Sequence, residues 1–153
     1  MTLRHLQHFL IQTTDLEGTT KWYEDILGMR RGPHPEFNFP VEWIYIGDQD
    51  VLHLTEGGAA VSENRKQYLE QTSEATHGSG VVDHVAFRAD GLKDTLDHFR
   101  AKGVAFQTRQ VDAAGLFQIF ITDPNGVKVE LNFENAEAKG IKPELLGSEL
   151  GRA

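Results

Sequence analysis

His8-Phe-Leu-Ile-Gln-Thr-Thr-Asp-Leu16 and His84-Val-Ala-Phe-Arg-Ala-Asp-Gly-Leu92 read as two copies of one plan, a strand opened by histidine and then a helix start. Each copy continues into a helix-like segment and later into a strand with a second ligand-type side chain. These strands are Val51-Leu-His-Leu54 in the first copy and Val127-Lys-Val-Glu-Leu131 in the second. His8 and His53 are 45 residues apart, and His84 and Glu130 are 46 apart. A repeat with ligand-type residues at matching points predicts a pseudo-twofold fold that gathers four ligands from two half-sites.

Working outward, Thr14 or Asp15 can cap the first helix, because a side-chain oxygen there accepts the orphan N–H groups of the first turn. Trp22, Tyr23, Ile26 and Leu27 supply its apolar stripe, and Gly28 stops it. In the second copy Asp90 is the cap candidate, Leu92, Leu96 and Phe99 form the stripe, and Gly103 ends the helix. Trp43-Ile-Tyr-Ile46 and Val51 to Leu54 flank a hairpin turn at Gly47-Asp-Gln-Asp50. Phe117 to Ile121 and Val127 to Leu131 flank Asp123-Pro-Asn-Gly126, where Pro presets φ and Gly tolerates φ > 0. Each copy therefore reads β-α-β-β-β, with the strand directly after each helix the least marked. The expected fold class is α+β, paired βαβββ modules forming a cupped mixed sheet around a metal-binding cleft.

The expected boundaries are a first module at 3–56, a linker at 57–80, a second module at 81–135 and a tail at 136–153, together one structural domain. The linker is polar and glycine-flanked, with a short helix expected over Glu63 to Gln71. The tail carries Leu145, Leu146 and Leu150, which suggest a short docked helix.

Because side chains alternate along a strand, Val51, His53 and Thr55 are expected on one face, with Leu52 and Leu54 on the other. Lys128, Glu130 and Asn132 similarly oppose Val127, Val129 and Leu131. The apolar faces would pack under the helices, and the polar faces would line the cleft. His5, His34, His77 and His98 have no counterpart in the repeat. Of these, His98 is expected in solvent, and His34 sits in a proline-rich loop that can border a pocket.

The composition excludes several classes of function. The chain has no cysteine, so disulfides, thiolate metal sites and a cysteine nucleophile are out. A formal charge of −8 and the lack of a basic cluster argue against a nucleic-acid partner, since that affinity comes largely from Lys and Arg on phosphates. No apolar run approaches the roughly 18 residues of a membrane span, and Met1-Thr-Leu-Arg-His lacks a signal-peptide core. The expectation is a cytoplasmic protein with a small-molecule substrate and no membrane partner. Any metal must use imidazole and carboxylate. Three imidazoles and one carboxylate suit one divalent Fe, Ni, Co, Mn or Zn per site better than Ca or Mg, which prefer all-oxygen shells.

At these residues the chain resembles the vicinal oxygen chelate superfamily, which includes glyoxalase I, methylmalonyl-CoA epimerase, extradiol dioxygenases, and fosfomycin and bleomycin resistance proteins. The resemblance spans about residues 3 to 134. It rests on His8…Asp15-Leu16…Trp22-Tyr23…Leu27-Gly28, on Asp83-His84-Val85-Ala86-Phe87, and on Asp123-Pro-Asn-Gly-Val-Lys-Val-Glu130. It implies paired βαβββ modules around one divalent metal, His8, His84 and Glu130 as the ligands most members share, and commonly a homodimer. His53 falls where glyoxalase I and the epimerase carry a further Glu or Gln ligand, and in glyoxalase I that carboxylate is both ligand and base.

A ligand-type residue at 53 is similar to the glyoxalase and epimerase branch. The resemblance therefore implies a lyase or isomerase that moves a proton on a metal-chelated oxygenated substrate, with Glu130 or His53 as the proton carrier. The alternative is an Fe(II) extradiol ring-cleaving dioxygenase on the triad His8, His84 and Glu130. Those enzymes carry a tyrosine ten residues before the Glu ligand, where this chain has Phe120, and an acid–base histidine near the position of Asp50. Trp43, Tyr45, Phe117 and Phe120 either line an aromatic substrate pocket or sit as core aromatics on alternating strands. A third possibility is a non-catalytic binding protein of the drug-resistance kind.

Overall fold

In β1 (Phe9–Thr13), Ile11 and Thr13 are buried and Leu10 is exposed, the period of two that a half-buried strand requires. Asp15 caps α1 (Leu16–Leu27), its Oδ1 accepting the Gly18 N–H at 2.9 Å. Gly28 ends that helix at φ 64°, a left-handed conformation that a residue without Cβ adopts cheaply. There follow β2 (Arg30–Gly32), β3 (Val41–Ile46), β4 (Gln49–Glu56) and a short helix, α2 (Glu63–Tyr68). The plan then repeats as β5 (His84–Arg88), α3 (Leu92–Lys102), β6 (Gln107–Val111), β7 (Leu116–Thr122) and β8 (Lys128–Glu134), with a two-residue β9 (Leu145–Leu146). This computed structural model describes residues 1–146, and the chain divides into two units, Met1–Gly78 and Ser79–Ala153. Among the described residues no helix is long and apolar enough to cross a membrane.

The fold is α+β, and each unit is a βαβββ module on a mixed sheet. Strand order is β1-β4-β3-β2 in the first unit and β5-β8-β7-β6-β9 in the second. The first strand of each unit runs parallel to the last strand of its module, β1 with β4 and β5 with β8. In the first unit Tyr23 on α1 and Ile44, Leu52 and Leu54 on the sheet are fully buried. In the second, Leu92, Leu96 and Phe99 on α3 are buried along with Phe117, Ile119, Val129 and Phe133 on the sheet.

Several details differ from expectation. The buried side of α1 is rotated, so that Thr19, Thr20 and Tyr23 are buried while Trp22, Ile26 and Leu27 are half-buried. Threonine is tolerated there because its hydroxyls find partners. Thr19 and Thr13 place their Oγ1 atoms 3.1 Å apart, and Thr20 donates to the Leu16 carbonyl at 2.7 Å. The segment after β4 is tied down rather than a bare linker. Arg65 on α2 is 2% exposed; it donates to Gln12 Oε1 at 2.9 Å and also to Gln71. Gln12 in turn donates to the Ser73 carbonyl at 3.0 Å. In the tail, Asn135–Ala138 forms a 3₁₀ turn, and Leu145–Leu146 pairs with β6 as a strand instead of docking as a helix. Leu150 lies outside the described residues.

The cap of α3 is also different. Gly91 stands between Asp90 and the helix, takes the cap position at φ 83° and offers no side chain. The acceptor comes from far along the chain, as Glu137 Oε2 takes the N–H groups of Gly91 at 2.7 Å and Leu92 at 2.9 Å. Glu137→Ala should therefore destabilise the protein by about 1 kcal/mol, a drop of about 2–4 °C in Tm, whereas Asp90→Ala should leave it within about 0.5 kcal/mol. Thermal melts of the two variants read the difference directly.

Candidate functional site

β4 lies between β1 and β3, with His53 opposite Leu10 on one side and opposite Trp43 on the other. Cross-strand partners share a face, so His53, Trp43 and Leu10 point the same way, and so does His8 two residues before Leu10. The His8 ring stacks on His53 at 3.8 Å and the Trp43 ring stacks on it at 4.1 Å, nearly parallel in both cases. Two rings that close cannot occupy the same side of His53, so its imidazole is sandwiched.

Strict alternation would place Val51 beside His53, but Ile44 pairs with Leu52 while Tyr45 pairs with Asp50. Val51 is thus the extra residue of a β-bulge, and beyond a bulge the facing of side chains is reset. Asp50 takes the place expected for Val51, with its Oδ2 2.8 Å from His53 Nε2. Ligand atoms of His8, Asp50 and His53 all lie within 4.8 Å of one another. His8 Nδ1 is buried and has no hydrogen-bond partner among the described residues. Burial pushes the His53 imidazole below its ordinary pKa; the hydrogen bond to Asp50 opposes this, and the neighbouring His8 adds to it. Asp50 is held below the usual carboxylate range chiefly by its hydrogen bond from His53.

In the second unit Glu130 on β8 pairs with Ala86 on β5 and Phe120 on β7, and it is only 8% exposed. Its Oε1 accepts from the Gln118 amide at 2.7 Å and the Asn132 amide at 2.7 Å. Its Oε2 faces His84 Nε2 at 3.1 Å. His84 Nδ1 donates to Asp83 Oδ1 at 2.8 Å. Asp83 is kept below the usual carboxylate range first by Lys128 and then by His84.

Both groupings fit a divalent ion of the imidazole-binding kind. Two donors on one such ion, each about 2.0–2.2 Å from it, stand about 3 Å apart, which matches the His84–Glu130 separation of 3.1 Å. A ligating histidine almost always gives its other ring nitrogen to a carboxylate or carbonyl, which fixes its orientation. Asp83 does this for His84 and Asp50 does it for His53. Two amides occupy one oxygen of Glu130 and leave the other for ligation.

The structure thus brings His8 and His53 together in one unit and His84 and Glu130 together in the other. Trp43 packs on His53, and Phe120 stands edge-on to His84 at 6.4 Å with the Arg109 guanidinium 5.0 Å above its ring. Tyr45 donates to the Pro33 carbonyl at 2.6 Å. Phe117, expected among the pocket aromatics, is fully buried on the core face of β7 and contributes to packing. His98 is half-buried rather than solvated. The supporting roles of Asp50, Asp83 and Gln118 are not signalled by the repeat. Gln118 could have been found by counting outward from the turn at Asp123–Gly126, which sets it opposite Asn132.

Comparison with known proteins gives four findings. The family described as Glyoxalase/Bleomycin resistance protein/Dioxygenase superfamily matches residues 5–131. A lactoylglutathione lyase of Haemophilus influenzae is 27% identical over 137 residues, covering 86% of this chain and 93% of that protein. A biphenyl-2,3-diol 1,2-dioxygenase of Rhodococcus globerulus is 28% identical, covering 85% of this chain and 63% of that protein. Among solved structures, an antibiotic binding protein from Streptomyces shares the fold at a TM-score of 0.62 and 16% identity, covering 88% of this chain and 98% of that one.

The carboxylate on His53 has a measurable consequence in metal-free protein. Asp50→Asn removes the charge that favours the imidazolium, so the His53 pKa, already below its ordinary value, should fall further. A histidine titration followed by NMR tests this, and an upward or absent shift would contradict the pairing.

Proposed function

Because the chain belongs to the glyoxalase/bleomycin resistance protein/dioxygenase superfamily, we propose that it is a metal-dependent lyase or isomerase acting by proton transfer on a small oxygenated substrate. In this reading His8, His53, His84 and Glu130 hold one divalent ion, Fe, Ni, Co, Mn or Zn. The observation that carries the reading is the state of Glu130, a buried carboxylate with one oxygen fixed by two amides and the other 3.1 Å from an imidazole nitrogen. The similarity to lactoylglutathione lyases supports the reaction class.

When bound, the ion supplies Lewis acidity, which lowers the pKa of a C–H next to a substrate carbonyl. The remaining chemistry falls to the chain. His53 stands where the resemblance puts a residue that both ligates and takes the proton. Its Nε2 is held by Asp50, which leaves one lone pair, on Nδ1, to ligate the ion or to accept the proton but not both; when His53 ligates, Glu130 carries the proton. Burial favours the neutral ring, the form that can act as a base, and the Asp50 carboxylate favours the imidazolium. Trp43, stacked on the ring, restricts its rotation.

A second reading, ring cleavage with Fe(II), draws on the aromatic surroundings of His53 and on the similarity to a dioxygenase. It predicts oxygen uptake with catechols by iron-loaded protein.

Three measurements test the proposal. Protein stripped and reloaded with competing metals should hold about one ion per chain, and His84→Ala should lose it. His53→Ala should weaken it clearly if His53 ligates; full retention would assign His53 to proton transfer alone. Gln118→Ala should weaken metal binding about 10–100-fold, the usual effect of removing a group that orients a ligand, read by chelator competition. Metal-loaded protein should catalyse solvent deuterium exchange into a 2-oxo or 2-hydroxy compound. Equal exchange by chelated protein would overturn the lyase or isomerase reading.

A further inference from the structure

The first unit contains an aromatic cavity that the proton-transfer chemistry does not use. The proline-rich loop between β2 and β3 faces α2 across an open cavity of about 420 Å³, within the usual range for small-molecule sites of roughly 300–1,000 Å³. Its walls are Phe37, Phe39 and Tyr68, whose ring centroids lie 5.3–5.6 Å from one another. Phe37 and Tyr68 meet edge to face, at 73°. The aromatic surface continues inward, with Phe37 6.4 Å from Trp43 and Trp43 stacked on His53 at 4.1 Å. His34 flanks the run at 6.3 Å from both Phe37 and Trp43. The cavity is therefore two ring contacts from His53.

The polar lining narrows the ligand class. Asn38, Asn64 and Gln67 offer neutral hydrogen-bond donors and acceptors, and Glu36 is the single charged side chain among the described residues of the lining. Among the described residues no Lys or Arg lines the cavity. An anionic group would meet an acid and no cation among the described residues, whereas a planar ring would find aromatic surface left open, chiefly that of Tyr68, on which to stack or set an edge.

We propose that this cavity recognises the aryl group of the substrate, a planar aromatic ring bearing uncharged hydrogen-bonding substituents, and that it selects against a dicarboxylate tripeptide thiol such as glutathione. The position of the reacting group beside His53 rests on the metal-centred reading above; the aryl site itself rests on the cavity. Tyr68 is 64% exposed, so removing its ring takes nothing from the core.

Calorimetric titrations of 2-naphthol, its saturated counterpart 2-decalol and S-hexylglutathione into metal-loaded wild type, Tyr68→Ala and Phe37→Leu provide the test, with metal content measured on each. The expected result is 2-naphthol binding about tenfold tighter than 2-decalol. Tyr68→Ala and Phe37→Leu should each weaken 2-naphthol about three- to tenfold at unchanged metal content. Equal binding of the aryl and saturated alcohols, or unchanged 2-naphthol affinity in both variants, overturns the proposal. Displacement of 2-naphthol by S-hexylglutathione at lower concentration also overturns it. Failure of wild type to hold metal, with 2-naphthol binding still dependent on Tyr68, refutes the metal-centred reading and supports the aryl site.

Discussion

A parallel strand pair cannot be closed by a hairpin, because the chain must leave one end of the sheet and return to the other. In each unit that pair is the first strand with the last of the module, and the return path holds a helix and two further strands. The spacing of about 45 residues between ligand-type side chains is the length of this circuit. It brings the opening histidine of each unit beside a residue that is remote in sequence. The helices bury the opposite face through Tyr23 in one unit and Leu96 and Phe99 in the other, so the polar face is left for chemistry.

His53 and His84 each rely on a carboxylate set close by in sequence but delivered in different ways. Asp83 is the neighbour of His84 and needs no special backbone. Asp50 is three residues from His53, an offset that regular alternation would send to the opposite face, and only the bulge at Val51 turns it back. Glu130 is held by amides instead. A charged partner on Oε1 would compete for it, whereas Gln118 and Asn132 orient it without neutralising it.

Much of this was legible in the sequence because it depends on local signals. The doubled strand–helix pattern, the Asp15 cap, the glycine stops and the turn at Asp123–Gly126 each follow from a few adjacent residues, and together they define the two βαβββ units. The histidines and Glu130 were legible through the repeat. What was missed depends on pairing across the chain. The bulge exists only in the register between β3 and β4, the choice between pocket and core for Phe117 is decided only by its burial on β7, and the α1 stripe differs because buried threonines look polar until their hydroxyl partners are known.

The long-range cap on α3 also bears on the order in which the protein assembles. The first turn of this helix has its N–H groups answered by a carboxylate 45 and 46 residues downstream, after β6, β7 and β8 have been laid down. A nascent chain leaving the ribosome from its N-terminus cannot complete the cap of α3 until Glu137 has emerged. The first helix, capped by its own Asp15, has no such delay. The two halves of the repeat, alike in topology, therefore differ in timing, the first helix being capped by its own neighbour and the second only after the strands of its module have been made.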